Sequence, residues 1–202
     1  MRVTSEMAEF YNNRTLRHRE LVSKYCGKIA GADLGGFKEL LDLADVHDMG
    51  KFYYPELVPY IHTTWKYKCL AEDIVYGLDE EMRLACDQAT IHHIKCNPHH
   101  PDYFDMAPAQ LNAADRDKPA EKVVDAHYMP DIYIAEMVAD WCAMSEERGT
   151  DPWDWIGANV NVRWAFEPQQ VELIHTLTRH AWDCPKDCTG RGPDADMCID
   201  CT

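Results

Sequence analysis

No run of about eighteen apolar residues, the length a helix needs to cross a bilayer, occurs in the 202-residue chain. The opening segment MRVTSEMAEFYNNRTLRHRE also has no apolar middle region. A secretory signal needs one, so a cytoplasmic location is expected. Basic residues are scarce: 20 Lys and Arg stand against 35 Asp and Glu, a formal charge of −15. Most of such a surface repels a nucleic-acid backbone or an anionic membrane, and neither is expected as a partner. A small anion remains admissible, because bound divalent cations invert the field inside a site. No segment alternates like a strand, and there is no internal repeat and no low-complexity tract.

What is present suits a packed core. Hydrophobic residues make up 46% and charged residues 27%, the balance of a folded rather than a disordered chain. At this length one domain with a small appendage is expected, here a helical domain over 1–182 and a cysteine-rich tail over 183–202. Apolar spacing is helical nearly everywhere. Leu21, Val22, Tyr25 and Ile29 share a face of a first helix, and Phe37, Leu40, Leu41 and Ala44 a face of a second. The pattern predicts a third helix around 54–75, a fourth from Asp79 to Lys95, a fifth from Pro130 to Glu146 and a last one from Pro168 through QQVELIHTLTRHAW. The fold class read from this is an all-α bundle. Between the fourth and fifth helices, the proline-rich, polar stretch 97–130 reads as a long loop insertion over the surface, and such loops usually carry function.

The nine cysteines divide into two groups. Cys26, Cys69, Cys86, Cys96 and Cys142 are dispersed through helical segments and read as small buried hydrophobes kept as thiols. In the tail CPKDCTGRGPDADMCIDCT, Cys184 and Cys188 form one close pair and Cys198 and Cys201 another. Two such pairs can supply a tetrahedral thiolate site for structural zinc; a reduced, flexible tail is the other reading.

The most informative string is LADVHDMGKF, where an apolar helix ends with His47 and Asp48 side by side before Gly50 permits a turn. Neighbours on a helix point about 100° apart, so both can reach one cation only where the backbone leaves the helix. Imidazole and carboxylate together suit Mn, Fe, Co, Ni or Zn, and a carboxylate such as Asp48 can bridge two cations. A polar helix cap beside an incidental histidine is the plainer reading of the dipeptide alone. His18 borders the apolar face of the first helix, where an imidazole needs a hydrogen-bond partner or a metal. Asp140 lies one turn from Met137 and Met144, between Ala139 and Trp141, with no basic residue on its helix before Arg148. An unpaired carboxylate buried there costs several kcal/mol, so it is expected to face a cation or a strong donor.

The order His, His-Asp, Asp across successive helices resembles the HD superfamily of metal-dependent phosphohydrolases over residues 14–146. The resemblance implies a helical bundle in which His18, His47, Asp48 and Asp140 bind a first metal. HDMGK, with Lys51 one turn after His47, looks like the HD-x-G-K form of cyclic-dinucleotide phosphodiesterases and inositol oxygenase-like members. A second cluster, ATIHHIKCNPHHPDYF, followed later by EMVADW, looks like an uncharacterised family of small HD-like proteins common in bacteria and phages. That resemblance places the chain in a bacterial or phage-infected host cytosol. Two-metal HD members take two further histidines from between the HD pair and the final Asp. His93 and His100 are the choice here, with His92 and His99 as close competitors; His93 follows Met82, Cys86 and Ala89 around its helix, which favours an inward pose. HD nucleotidases place a glutamate shortly beyond the HD pair, where this chain has Lys51 and Phe52. That departure weighs against deoxynucleoside monophosphates specifically.

The function these readings imply is hydrolysis of a phosphomonoester or phosphodiester in a small molecule, a nucleotide first among candidates. One or two divalent ions (Mn, Fe, Co, Ni, Zn or Mg) would be bound. Asp48 would hold the attacking water, Lys51 would meet a phosphate oxygen, and His92 or His99, if not ligands, would protonate the leaving oxygen. Two alternatives stand beside it: a di-iron oxygenase with the same six ligands, and a binding or regulatory protein whose metal is structural. The oligomeric state is left open, a homo-oligomer included.

Overall fold

The first helix shows why the chain folds as it does. Thr4 caps it, its hydroxyl accepting from the Met7 amide at 3.2 Å, which satisfies one of the free donors at a helix start. Met7, Tyr11, Thr15, His18, Leu21, Val22, Tyr25, Cys26 and Ile29 are buried along it, a stripe at three- and four-residue spacing. The computed structural model describes residues 1–32, 36–105 and 123–183. Seven α-helices run in chain order through the described residues: α1 (Ser5–Gly31), α2 (Leu40–Val46), α3 (Leu57–Ala71), α4 (Glu80–Cys96), α5 (Asp131–Arg148), α6 (Pro152–Asn159) and α7 (Pro168–Thr178). The only sheet among them is a parallel pair of two-residue strands, β1 (Val124–Asp125) and β2 (Trp164–Ala165). The protein is all-α, and none of its described helices is long and apolar enough to cross a membrane.

α5 is the central element. Ile134, Ala135, Met137, Val138, Ala139, Cys142 and Ala143 are all buried, too many for one stripe, because α1, α2, α6 and α7 pack around it. Gly149 ends it with φ 66°, a left-handed residue that glycine adopts without a Cβ penalty. α3 packs on α1, and α4 on α3. Two apolar clusters result: a large one joining α1, α2, α5 and α7, and a small one of Met7, Tyr11 and Ile61 between the start of α1 and α3. His18 lies on α1 between the residues of the small cluster and those of the large one, so the polar centre occupies the seam between the two.

Several local expectations change. Leu41 is 49% exposed while Leu40 and Ala44 are buried. Residues Phe37–Glu39 form a tighter 3-10 turn before α2 starts, which shifts the inward register by one residue. The third helix is shorter than 54–75 because the chain turns through Tyr53–Glu56 first. α6 is not among the expected helices, although Asp151, accepting from the Trp153 amide, and Pro152 at its first position are helix-start signals. Cys26, Cys69 and Cys142 are buried, but Cys86 is half-buried and Cys96 exposed, because α4 leaves much of its surface uncovered. In the loop insertion, Trp164 Nε1 donates to Asp102 at 2.9 Å; residues 106–122 lie outside the described residues.

Ile134, fully buried in α5, tests the core. Ile134→Ala is expected to cost about 2–5 kcal/mol, read as a lower urea midpoint at unchanged slope; a loss under about 1 kcal/mol would contradict the central position of α5.

Candidate metal centre

α2 stops at Val46, and His47 takes an extended ψ of 128°. The left-handed residue of the turn is Asp48, at φ 58°, not Gly50 as the sequence suggests. Asp accepts this conformation at a modest strain, and the reversal lets adjacent His47 and Asp48 aim at one point. Gly50 serves the site in another way. A Cβ there would sit 3.3 Å from Glu56 Oε1, so its absence lets that carboxylate approach. α1 clamps the turn from outside. Arg19 donates to the carbonyls of His47 at 2.9 Å and Asp45 at 2.6 Å, capping α2, and the Tyr11 hydroxyl donates to the Lys51 carbonyl at 2.8 Å.

The turn points into a ring of donors. Asp48 Oδ2 lies 3.7 Å from His18 Nε2 and 3.6 Å from His47 Nε2. Asp140 Oδ1, from α5, is 3.1 Å from His18 Nε2 and 3.9 Å from His47 Nε2. The other oxygen of Asp48, Oδ1, faces a different pair: His93 Nε2 at 3.1 Å and His99 Nε2 at 3.7 Å. The His100 ring centroid lies 5.0 Å from that of His93 and 4.3 Å from that of His99. The donor atoms of His18, His47 and Asp140 lie within 4.8 Å of one another, as do those of His93, His99 and His100. Both groups could hold a metal ion.

Carboxylates stand behind the imidazoles. Glu136 Oε1 is 2.8 Å from His47 Nδ1 and 3.4 Å from His99 Nδ1. Glu56 meets His93 Nδ1 at 2.9 Å and His92 Nδ1 at 2.7 Å, and Glu147 Oε2 lies 3.6 Å from His18 Nδ1. A carboxylate at Nδ1 keeps the proton there and leaves the Nε2 lone pair free for a ligand. Arg14 in turn holds Glu147 at 2.7 Å.

Charge states follow from these contacts. Burial pushes the Asp48 carboxyl up, but Lys51, His47 and His93 outweigh it and hold it well below the ordinary carboxylate range. Burial opposes ionisation of Asp140 too, and His18, His47 and His99 overcome it. His18 is pushed up to about 9, because hydrogen bonds with Asp140 and Glu147 and the charges of Asp140 and Asp48 outweigh burial. His47 moves the other way, since burial dominates there.

The structure therefore brings together His18, His47, Asp48 and Asp140 on one side and His93 and His100 on the other. It places His99 inside the ring as well. His92 stands apart: its side chain is 42% exposed and hydrogen-bonded to the outer side of Glu56. Adjacent residues on α4 diverge, and His93 takes the inward direction. Lys51 Nζ contacts Asp48 Oδ2. Cys184, Cys188, Cys198 and Cys201 lie outside the described residues. Glu56, Glu136 and Glu147 are not among the residues the sequence singles out, although Glu136, Asp140 and Glu147 share a face of α5 at spacings of four and seven, with Glu136 and Asp140 set among apolar residues.

Residues 7–180 match the model of a family described as "Family of unknown function (DUF5662)", and the chain belongs to that family. No curated protein and no solved structure matches it.

In a chelator, the raised pKa of His18 makes its contribution to stability fully present below about pH 6.5 and lost as pH rises through about 9. The melting temperature of His18→Gln is expected to fall below that of the parent at pH 6 and to converge on it near pH 9.5. A difference that does not depend on pH would contradict the His18–Asp140 ion pair.

Proposed function

We propose that this DUF5662 chain is a metal-dependent phosphohydrolase of the HD kind, acting on a small phosphorylated molecule, a nucleotide first among candidates. The observation that carries this reading is the Asp48 carboxylate, whose two oxygens face two separate sets of imidazole nitrogens. That is the arrangement of a carboxylate bridging two cations.

The donors fit such ions. Ligands about 2.1 Å from a tetrahedral cation lie about 3.4 Å apart, and the imidazole nitrogens of His18 and His47 lie 3.1 to 3.9 Å from Asp48 Oδ2 and Asp140 Oδ1, with Lys51 Nζ also against Asp48 Oδ2. His47 Nε2 and Asp48 Oδ1 are buried without a well-directed hydrogen bond, a costly state that a cation relieves. A set rich in imidazole suits Mn, Fe, Co, Ni or Zn better than Mg. Divalent ions held there would supply Lewis acidity to a phosphoryl oxygen and acidify a water.

The chain's own groups do the rest. Asp140 is 16% exposed and Lys51 22%, whereas His18, His47, Asp48, His93 and His99 are at or below 8%. Solvent therefore reaches the ring at Asp140 and Lys51, and also at His100, which is half-buried. An open side distinguishes a reactive site from a purely structural one, which favours an enzyme over a metal-stabilised binding protein. On that side the Lys51 ammonium can hold a phosphate oxygen. Asp48 and Asp140 add negative charge that confines an anionic substrate to the metal face. His92 lies outside the ring, bonded to Glu56 at 2.7 Å.

His47→Ala and Asp48→Ala are each expected to lose bound metal and to lower phosphate release by more than about 100-fold, with helical circular dichroism retained. His92→Ala is expected to stay within a few-fold of the parent. The measurement is elemental analysis paired with a phosphate-release screen over nucleotides. Phosphate release unaffected by Asp48→Ala would remove the centre from the reaction, and oxygen uptake by the iron-loaded protein without phosphate release would transfer the site to oxygenase chemistry.

A further inference from the structure

Glu136 is 4% exposed, on α5 one turn before Asp140. A single oxygen of it, Oε1, faces Nδ1 of His47 at 2.8 Å and Nδ1 of His99 at 3.4 Å. The two rings lie with centroids 4.3 Å apart. Their opposite nitrogens aim at different oxygens of Asp48: His47 Nε2 is 3.6 Å from Oδ2, and His99 Nε2 is 3.7 Å from Oδ1. One carboxylate thus holds a histidine from each half of the centre. His93, by contrast, is held by Glu56, and His18 lies beside Glu147.

An imidazole can bind a cation through Nε2 only when its proton sits on Nδ1. Glu136 selects that tautomer in His47, bonded at 2.8 Å, and favours it in His99, whose Nδ1 lies 3.4 Å from the same oxygen. Fixing His47 on a cation also fixes Glu136, and a fixed Glu136 leaves His99 with less freedom to lose when the second ion arrives. We propose that Glu136 is a positioning residue that couples the filling of the two halves of the centre. This rests on the two-ion reading above and adds to it a route between the halves separate from the Asp48 bridge. Two cations bridged by one carboxylate also repel each other, so the coupling is read as a change in the ratio of the two binding steps rather than as cooperativity in the parent alone.

The experiment is a calorimetric titration of the metal-free full chain with Zn(II), for the parent, Glu136→Gln and Glu136→Asp. The expected result is two steps in the parent. In Glu136→Gln the second affinity falls relative to the first by about tenfold, with unchanged helical circular dichroism, and Glu136→Asp recovers part of the loss. A purely structural role for Glu136 weakens both steps alike, and that outcome overturns the proposal, as does a parent that takes up one ion only. A measurement on the parent needs no variant to fold: one equivalent of Zn(II) is expected to shift the Nδ1–H proton resonances of both His47 and His99, and a shift confined to one of them overturns the coupling. Phosphate release with an unchanged step ratio in Glu136→Gln sinks the coupling and leaves the hydrolase reading, whereas an altered ratio without phosphate release does the reverse.

Discussion

A carboxylate removed from water must be compensated, and at Asp48, 1% exposed, that requirement organises the protein. Its neighbours are four imidazoles and an ammonium drawn from α1, the turn after α2, α4 and the loop beyond it. Each imidazole is itself buried, and an uncompensated buried polar nitrogen is costly, so a further layer of carboxylates stands behind them. Glu56, Glu136 and Glu147 are all held below the usual glutamate range: burial pushes each up, and the histidines beside them, with Arg14 at Glu147, outweigh it. The polar centre thus consists of a carboxylate, a layer of imidazoles around it and a layer of carboxylates behind them.

The apolar fold is arranged around this nest. α5 contributes its apolar residues to the large core and its row of acids to the centre, so the same helix sets both. α1 does likewise, with His18 between two apolar clusters and Arg19 and Tyr11 gripping the Asp48 turn through its backbone carbonyls. Movement of α1 against α5 would therefore disturb the large core and the His18–Asp140 contact together. The helix-borne members His18, His93 and Asp140 are held more rigidly than residues on loops. The shell is incomplete at the partly exposed side chains of Asp140, Lys51 and His100.

Much of this is legible in the chain because certain residues interrupt an otherwise apolar pattern. His18 on the stripe of α1, the His47-Asp48 pair at the end of α2 and Asp140 among alanine, methionine and tryptophan are each out of place unless partnered. The outer acids are less visible: glutamate is common on helix surfaces, and nothing in YYPELVPY marks Glu56 as 1% exposed. Glycine is the usual occupant of a left-handed turn, which points to Gly50, whereas the turn falls on Asp48 and Gly50 leaves room beside the Glu56 carboxylate. The choice within each histidine doublet is also beyond the sequence. It depends on the rotation of α4 about its axis at His92 and His93 and on the path of the loop at His99 and His100.

The amino-acid sequence by itself determined most of the helices, most of the apolar faces that join them and the few polar residues that could not be left unpaired on those faces, because periodicity and burial cost act within a few turns of one segment. Only the tertiary structure decided which nitrogen of which imidazole meets which carboxylate oxygen, and that the two oxygens of Asp48 look in different directions. Those outcomes depend on the relative placement of α1, α2, α4 and α5 to within an ångström or so. That placement is settled by packing between side chains far apart in the chain, to which no local pattern has access.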